Sequence, residues 1–165
     1  MVKAPSFPPL RNGFTLVELL IVIAVIGVLA GGIIALVNPA AQFQKANDSK
    51  RKSDLAQIQR ALEVYYQDNR KYPDAVDYKI KRLDDSTADW GEQWTPYMGN
   101  LPKDPRSPSK NYVYNATDSG QTYCIYASLD IGVDITLNTA CFPSRASCGT
   151  DYKCNYGISS PNITP

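Results

Sequence analysis

The spacing of hydrophobic residues changes along this chain. Near the N-terminus the hydrophobic residues form a continuous run. Apolar residues extend without a break from Leu19 to Val37, and Glu18 is the only ionisable residue between Phe14 and Val37. About 20 predominantly apolar residues in a helix are enough to cross a bilayer. The run therefore predicts a transmembrane helix over residues 14–37.

A narrow apolar stripe at helical spacing follows this run. Its members are three or four residues apart, with two more beside them: Leu55, Ile58, Leu62 and Tyr65, then Ala61 and Tyr66. Residues at these intervals share one face of an α-helix, so the stripe predicts an amphipathic helical stem over residues 38–72. The stem ends before Pro73, because proline disfavours helical backbone in the residue before it. A continuous helix from Phe14 to Asn69 is expected to be about 84 Å long, and Pro39 is a candidate position for a bend.

Alternation with a period of two, which is typical of β-strands, appears in the last third of the chain. Three segments show it, at residues 112–115, 121–129 and 133–137. Between the stem and these strands, residues 74–101 are predicted to form one or two short helices that cap the core. The aromatic side chains of this connection are interpreted as core anchors rather than as a ligand platform: Trp90, Trp94 and Tyr97.

These patterns together predict an α+β fold. The long N-terminal helix packs through its stripe on a small antiparallel sheet of about three strands, which makes a globular head of residues 73–165. The tail, residues 142–165, contains few apolar residues. It is interpreted as a loop that needs disulfide bonds to be ordered.

The cysteines lie beyond the predicted membrane segment, at Cys124, Cys141, Cys148 and Cys154. An even number of cysteines on the outside favours two disulfides, for which three pairings exist. The pairing of sequence neighbours, Cys124 with Cys141 and Cys148 with Cys154, is favoured because each bond closes a short loop. A zinc site is the alternative, but the spacing contains no C-x2-C motif and the chain has no histidine.

The distribution of charge along the chain is more informative about function than the net charge. The net charge of +1 gives no overall basic field that favours nucleic acid. Residues 40–71, however, contain seven Lys or Arg and four acids. The basic segment KANDSKRKSD, residues 45–54, is interpreted as a solvated stem or as a contact with acidic surfaces of neighbouring heads. DNA binding is disfavoured, because no aromatic residues alternate with these cations.

The N-terminal motif limits the kinds of membrane segment that fit. A secretory signal peptide has a shorter apolar region and a cleavage site after it, and the flanking cations give an ordinary anchor no orientation. Gly13 followed by FTLVE, residues 14–18, and an apolar helix resembles the class III signal of type IV prepilins and of type II secretion pseudopilins. The resemblance implies that a prepilin peptidase cleaves between Gly13 and Phe14, discards the leader of residues 1–13 and methylates the new N-terminus at Phe14. It also implies a pilin-like fold.

The resemblance also explains why an acid lies inside an apolar helix. A carboxylate within hydrocarbon is costly unless it has a partner. After cleavage, Phe14 carries a cationic amine, and the Glu18 carboxylate of one subunit can neutralise the amine of the next. Glu18 is therefore expected to direct assembly, because pairing along a row of subunits favours one axial offset in a helical homo-oligomer.

The expected function is that of a structural subunit, a prepilin that leaves the cytoplasmic membrane to join a type IV pilus-like filament at the cell surface. Its expected partners are other copies, prepilin peptidase, the assembly machinery and, before assembly, membrane lipid. The alternative within the family is a major pseudopilin of a type II secretion system, which the small head and the sequence LPKDP favour and the cysteine-rich tail disfavours. A membrane-anchored adhesin or DNA-binding module that acts as a monomer is a further alternative. An enzyme is disfavoured, since the sequence shows no nucleophile-base constellation and no phosphate loop.

No cofactor is predicted, although calcium stays open as an alternative. Asp130, Asp134 and Asp151 have the hard oxygen ligands that calcium prefers, but their spacing matches no EF-hand. The resemblance implies calcium only through the major pseudopilins, many of which bind it in a C-terminal loop.

Overall fold

The computed structural model describes residues 13–36, 38–131, 141 and 147–163. In chain order its elements are α1 (Leu16–Leu36), α2 (Pro39–Asn69), β1 (Ala75–Val76), β2 (Lys79–Lys81), β3 (Thr87–Ala88), β4 (Val113–Thr117), a 3-10 turn (Asp118–Gly120), β5 (Thr122–Ala127) and β6 (Tyr156–Ser159). Its contacts divide the chain into two compact units, Met1–Ala40 and Ala41–Pro165. The α+β class is confirmed, with helices first and small antiparallel sheets after them.

The first helix, α1, has 21 residues, and Glu18 is the only charged one. Its large apolar side chains from Leu16 to Leu29 are 48–78% exposed in the single chain. Within the part of the chain that the structure describes, no helix is long and apolar enough to cross a membrane. The transmembrane assignment of residues 14–37 stays a prediction.

The helical residues are divided at the position where a bend was predicted. α1 ends at Leu36, and α2 begins at Pro39 after the non-helical Asn38. Proline suits the first position of a helix, because an N–H group there has no partner within the helix, and Asn is a preferred N-cap residue. The prediction of one long helix is therefore confirmed only in part.

The apolar stripe of α2 forms the centre of the head, which in the structure is the compact unit Ala41–Pro165 and so includes most of α2. Leu55, Ile58 and Leu62 are fully buried, and Tyr65 is nearly so. Each fully buried Leu or Ile side chain contributes roughly 1.5–3 kcal/mol relative to an exposed one. The stripe was predicted to pack on the head, and its burial confirms that prediction.

A three-stranded antiparallel sheet, in the order β4-β5-β6, packs on this stripe in one core. The strands predicted at residues 112–115 and 121–129 are confirmed by β4 and β5. The strand predicted at residues 133–137 lies outside the described residues. All residues of β5 are buried, since β5 is the central strand with a neighbour at each edge.

The third strand of this sheet, β6, lies in the tail that was predicted to be a loop, and for Tyr156–Ser159 that prediction is wrong. Four residues are too few to show a clear period in sequence. The strand forms because β5 has a second edge to pair, where Ile158 lies opposite Ile125.

A second sheet, in the order β1-β2-β3, occupies the connection where short helices were predicted. All of residues 74–101 are described and none is helical, so that prediction is wrong. Asp77 and Tyr78, which join β1 to β2, have φ values of 49° and 60°. Two such residues make a tight hairpin turn whose twist matches that of the strands, which favours a hairpin over a helix here. The predicted core anchor Trp94 is buried and stacks on Tyr65, with 5.7 Å between the ring centroids.

The central strand β5 separates two groups of side chains, because successive residues of a strand point to opposite faces. Ile125 and its alternate neighbours join the core on α2, whereas Cys124 and Tyr126 join a second cluster with the other cysteines. In that cluster Cys124 is bonded to Cys141 and Cys148 to Cys154, the pairing that the sequence favoured. The first disulfide therefore ties Cys141, just before the tail, to the outer face of the sheet, and the second closes a loop within the tail.

The second disulfide loop depends on a glycine. Gly149 pairs with Lys110 in an isolated β-bridge and has φ +143°. A Cβ atom at this position would lie 2.1 Å from the carbonyl oxygen of Ser109, so any side chain would clash with the backbone. Glycine is therefore required here for the close approach of the tail to the rest of the head.

Candidate functional site

The residues predicted to flank the cleavage point lie just before the first helix. Gly13 and Phe14 are non-helical, and the Phe14 side chain is 87% exposed. A Cβ atom added at Gly13 meets no atom of the described residues within 4 Å, and the Gly13 backbone is not in a left-handed conformation. Packing in the described part of the chain therefore gives no reason for glycine at position 13.

Glu18 is held by a reciprocal set of hydrogen bonds at the start of α1. The backbone N–H and the hydroxyl of Thr15 both donate to Glu18 Oε2, each at 2.8 Å. The backbone N–H of Glu18 donates to Thr15 Oγ1 at 3.2 Å. This is a capping box, in which an N-cap Thr and an acid three residues later satisfy each other's N–H groups.

The capping box adds a local role to the predicted role in assembly. Thr15 donates two hydrogen bonds to Glu18 Oε2, so the acid is used within its own chain before any assembly. The signal was readable in the sequence as Thr15-Leu16-Val17-Glu18, which has the T-x-x-E spacing. The acid therefore has two local tasks, to start α1 and to place a negative charge in its first turn, where the helix dipole favours it.

In the head, the most concentrated charge is a buried cluster around Arg51 on α2, which is 0% exposed. Its guanidinium group contacts Asp48 at 2.7 Å, Asp104 at 2.8 Å and Asp130 at 3.0 Å. These acids come from different segments, since Asp48 is on α2, Asp104 is in the proline-rich turn before β4, and Asp130 follows β5. One side chain thereby connects three parts of the head.

A second buried cation completes the cluster. Lys110 Nζ donates to Asp130 Oδ1 at 2.7 Å and to the Ser128 carbonyl oxygen at 3.0 Å, and it lies 4.6 Å from the centroid of the Tyr152 ring. Burial by itself raises the pKa of Asp130, but the hydrogen bonds from Lys110 and Arg51 outweigh it and leave that pKa below its usual value. Asp130 is therefore held as a carboxylate.

The basic stem thus differs from its prediction as a solvated or intersubunit surface. Asp48, Arg51 and Asp54 are buried within the head, and that prediction is wrong for them. Asp54 accepts hydrogen bonds from Lys50 at 3.1 Å and from the Tyr112 hydroxyl at 2.8 Å. The missed signal was positional, because stepping back from Leu55 by four and then three residues reaches Arg51 and Asp48 on the same helix face.

The residues considered for calcium do not come together as a site in the described part of the chain. Asp130 is engaged by the cations of the Arg51 cluster, Asp151 is exposed in the tail, and Asp134 lies outside the described residues. Among the described residues, no group of three or more His, Cys, Asp or Glu is arranged to hold a metal ion.

Comparison with known protein families gives one match for the N-terminal helix and one for the stem and head. Residues 9–34 match the prokaryotic N-terminal methylation motif, which contains Gly13, Phe14 and Glu18. The chain thus has the N-terminal sequence that is typical of proteins with this methylation motif. Residues 38–134 match the family described as type II secretion system, protein G, and the chain belongs to this family. The tail beyond residue 134 lies outside both matched ranges.

Individual relatives support the same assignment. The type II secretion system core protein G of Aeromonas hydrophila is 30% identical over 98 residues, which cover 58% of this chain and 67% of the relative. The core protein G of Pectobacterium carotovorum is 32% identical over 98 residues, 58% of this chain and 62% of the relative. The type IV major pilin protein PilA of Myxococcus xanthus is 33% identical over 73 residues, 44% of this chain and 32% of that protein. No solved structure matches the chain.

These findings favour the alternative prediction over the main one. Both a secretion protein G and a type IV pilin are among the relatives, but the core protein G of Aeromonas hydrophila covers 58% of this chain and PilA only 44%. The family match also includes most of the head up to residue 134. A pseudopilin is therefore better supported than a pilus subunit.

Proposed function

We propose that this protein is a structural pseudopilin, which is processed at its N-terminus and polymerises into the filament of a type II secretion system. The observation that carries the proposal is the position of Glu18. It lies in the first turn of an exposed apolar helix, four residues after the predicted new N-terminus, in a chain of the protein G family. A pilus-like filament at the cell surface is the second candidate, supported by the similarity to PilA.

Processing is the first step of the proposal. A prepilin peptidase cleaves between Gly13 and Phe14, discards residues 1–13 and methylates the Phe14 amine. Both residues lie in exposed, non-helical chain, as a protease substrate requires. Packing among the described residues gives no reason for glycine at position 13, which supports recognition of Gly13 by a processing enzyme.

Cleavage creates a positive charge, the amine of Phe14, which the Glu18 carboxylate can neutralise. The new amine is a cation at the N-terminal end of α1, where the helix dipole disfavours positive charge. A carboxylate near 4 Å attracts this amine by roughly 4 kcal/mol at an effective dielectric of about 20, before desolvation is subtracted. The pairing therefore opposes the unfavourable position of the amine.

The capping box is compatible with a partner in another subunit. A carboxylate has about four lone-pair sites, and the bonds from Thr15 use Oε2. The amine of an adjoining copy can bind the same carboxylate without breaking the box. Repeated along a row of subunits, this contact selects one axial offset and so specifies a helical homo-oligomer.

The exposed surface of α1 supports the same cycle. Apolar side chains exposed by 48–78% along the helix form a surface that water does not stabilise. Before assembly the lipid of the cytoplasmic membrane covers it, with the protein as a single-pass precursor. After assembly, which other proteins of the machinery drive, the α1 helices of neighbouring copies cover it in the filament core.

A structural role is also supported by the chemistry of the head. An open cleft of about 570 Å³ lies between the β1-β2 turn and the tail. Its lining includes Asp89, which is paired with Lys79 at 2.5 Å, and the chain contains no histidine. Asp89 is thus engaged by a cation, and no histidine is present to activate a nucleophile. A catalytic role, a resident cofactor and a DNA partner are not part of the proposal.

The test is the mass of the mature N-terminus. The full chain is produced in a bacterium together with a prepilin peptidase, and the membrane fraction is digested and sequenced by mass spectrometry. The expected product starts at an N-methylated Phe14. A matched strain without the peptidase should keep Met1 or its formylated form. An intact leader in both strains, or a cut beyond Val37, contradicts the proposal.

A further inference from the structure

The acids of the Arg51 cluster have no oxygen left without a donor. Asp48 Oδ1 accepts from Arg51 and from the Asp130 N–H, and Asp48 Oδ2 accepts from the Ile131 N–H. Asp104 uses one oxygen for Arg51 Nε and the other for Arg51 Nη2 and the Arg106 N–H. The two oxygens of Asp130 contact Lys110 and Arg51.

The charges of the cluster also balance. Three carboxylates, those of Asp48, Asp104 and Asp130, contact three cationic side chains, those of Arg51, Lys110 and Arg106. The Arg51 and Asp104 side chains are both 0% exposed, whereas the Arg106 side chain is 42% exposed, so the balance is completed from the edge of the buried cluster. A charge left over there would be strongly unfavourable.

A calcium ion does not fit this arrangement. Calcium takes about six to eight oxygen ligands at roughly 2.3–2.6 Å. The carboxylates that converge here already surround a guanidinium group, which occupies the space between them. Calcium could bind the same oxygens only after Arg51 had left, and with both present the buried cluster would carry two excess positive charges.

We propose that Arg51, assisted by Lys110, is the resident cation of this cluster, and that it holds the place where a calcium ion would have to bind Asp130. Its planar fork binds two oxygens of Asp104, and its third nitrogen reaches both Asp48 and Asp130. Asp48 then caps the backbone N–H groups of Asp130 and Ile131.

The consequence is a cluster that holds its three carboxylates together without metal. The cluster anchors the start of the segment that runs from β5 to Cys141, by contacts between residues 53 to 83 positions apart in sequence. This inference does not depend on filament assembly, because it concerns the unassembled chain.

The test compares the thermal unfolding of the full chain, in detergent micelles, in calcium chloride and in EGTA. The expected result is the same Tm in both solutions, and no heat of binding when calcium is titrated into the wild type. A Tm that falls in EGTA, returns with calcium and no longer responds in Asp130→Asn would overturn the proposal.

A pair of variants sharpens the test. Arg51→Met keeps the aliphatic part of the side chain and leaves three carboxylates facing one another. It should lower the Tm by about 10 °C or more, and calcium should now restore part of the loss. The matched control is Arg60→Met, an exposed residue of the same helix, with an unchanged Tm. Equal Tm values for the two variants contradict the proposal.

A third variant tests the proposal if Arg51→Met does not fold. Arg51→Lys keeps the charge and loses the fork, so its Tm should lie between those of the wild type and Arg51→Met, with no response to calcium. A calcium-dependent Tm in Arg51→Lys would show that metal and not the internal cation completes the cluster.

Discussion

Glu18 and Asp130 are both acids next to apolar sequence, but the molecule treats them in opposite ways. Glu18 lies on an exposed helix, and its described partner is Thr15, three residues away. The Asp130 side chain is only 5% exposed, and its partners Lys110 and Arg51 are 20 and 79 residues away. We call the Glu18 site open, because its carboxylate can bind another charge from outside the chain, and the Asp130 site closed, because both of its oxygens already have partners. An open site suits assembly, whereas a closed site stabilises the fold.

The largest expected effect tests the open site. Glu18→Gln keeps the size of the side chain and removes its charge, so an amine from an adjoining copy loses its counter-ion. We expect the filament yield to fall at least tenfold, since roughly 4 kcal/mol of attraction before desolvation is at stake. Filaments can be quantified by electron microscopy of sheared material. The Tm of the head should not change.

The control for this change is Glu92→Gln, which removes an exposed acid from the head. It should leave the filament yield as in the wild type. If Glu18→Gln still polymerises with unchanged yield and geometry, the role given to Glu18 is wrong.

The next largest effect tests the closed site. Asp130→Asn removes one partner of a buried ion cluster and leaves Lys110 and Arg51 with excess charge. Breaking such a pair typically costs about 3–5 kcal/mol in the free energy of unfolding, which urea denaturation can measure. Asp85→Asn breaks an exposed pair with Lys81 and should cost less than about 1 kcal/mol. Similar losses for the two variants would show that the cluster contributes no more than a surface pair.

A smaller effect follows from the lowered pKa of Asp130. A carboxyl whose pKa is lower in the folded state stabilises the fold above its unfolded pKa of about 3.9 and loses that contribution as the pH falls through the folded value. The free energy of unfolding should therefore decrease from about pH 5 downward. Asp130→Asn should show a shallower decrease over the same range, and identical slopes would contradict this interpretation.

The smallest effect tests how the open site is prepared. Thr15→Val removes the hydroxyl of the capping box and should cost about 1 kcal/mol at the start of α1. Hydrogen exchange of the first turn should become faster, and the filament yield should fall slightly, because Glu18 loses a fixed position. Thr15→Ser keeps the hydroxyl and should behave as the wild type. A yield as low as that of Glu18→Gln would mean that Thr15 contacts the partner directly.

Much of the head could be predicted because its signals are local. The stripe of Leu55 to Tyr65 repeats over several turns, and its period alone specifies a buried helix face. β4 and β5 alternate over enough residues to be recognised. The capping box of Thr15 and Glu18 also lies within four residues, so it was available in the sequence although it was not used.

Other elements could not be predicted, because their stability comes from distant partners. β6 has only four residues, and it becomes a strand through pairing with β5. The β1-β2 hairpin depends on two residues with positive φ that are neither Gly nor Asn. The burial of Arg51 depends on acids 53 and 79 residues further along the chain.

The sequence by itself determined the apolar helix with its single acid, the N-terminal methylation motif and the buried stripe, since each is a pattern among near neighbours, and it favoured the cysteine pairing without fixing it. Only the tertiary structure decided which charged side chains have all their partners within the chain and which can still bind a partner from outside. A charged side chain is affordable in the interior only where its partners converge on it, and convergence is a property of the folded chain. For this reason Arg51, which lies in a basic stretch that looked like surface in sequence, holds parts of the head together in the structure, whereas Lys45, Lys50 and Lys52 of the same stretch are exposed.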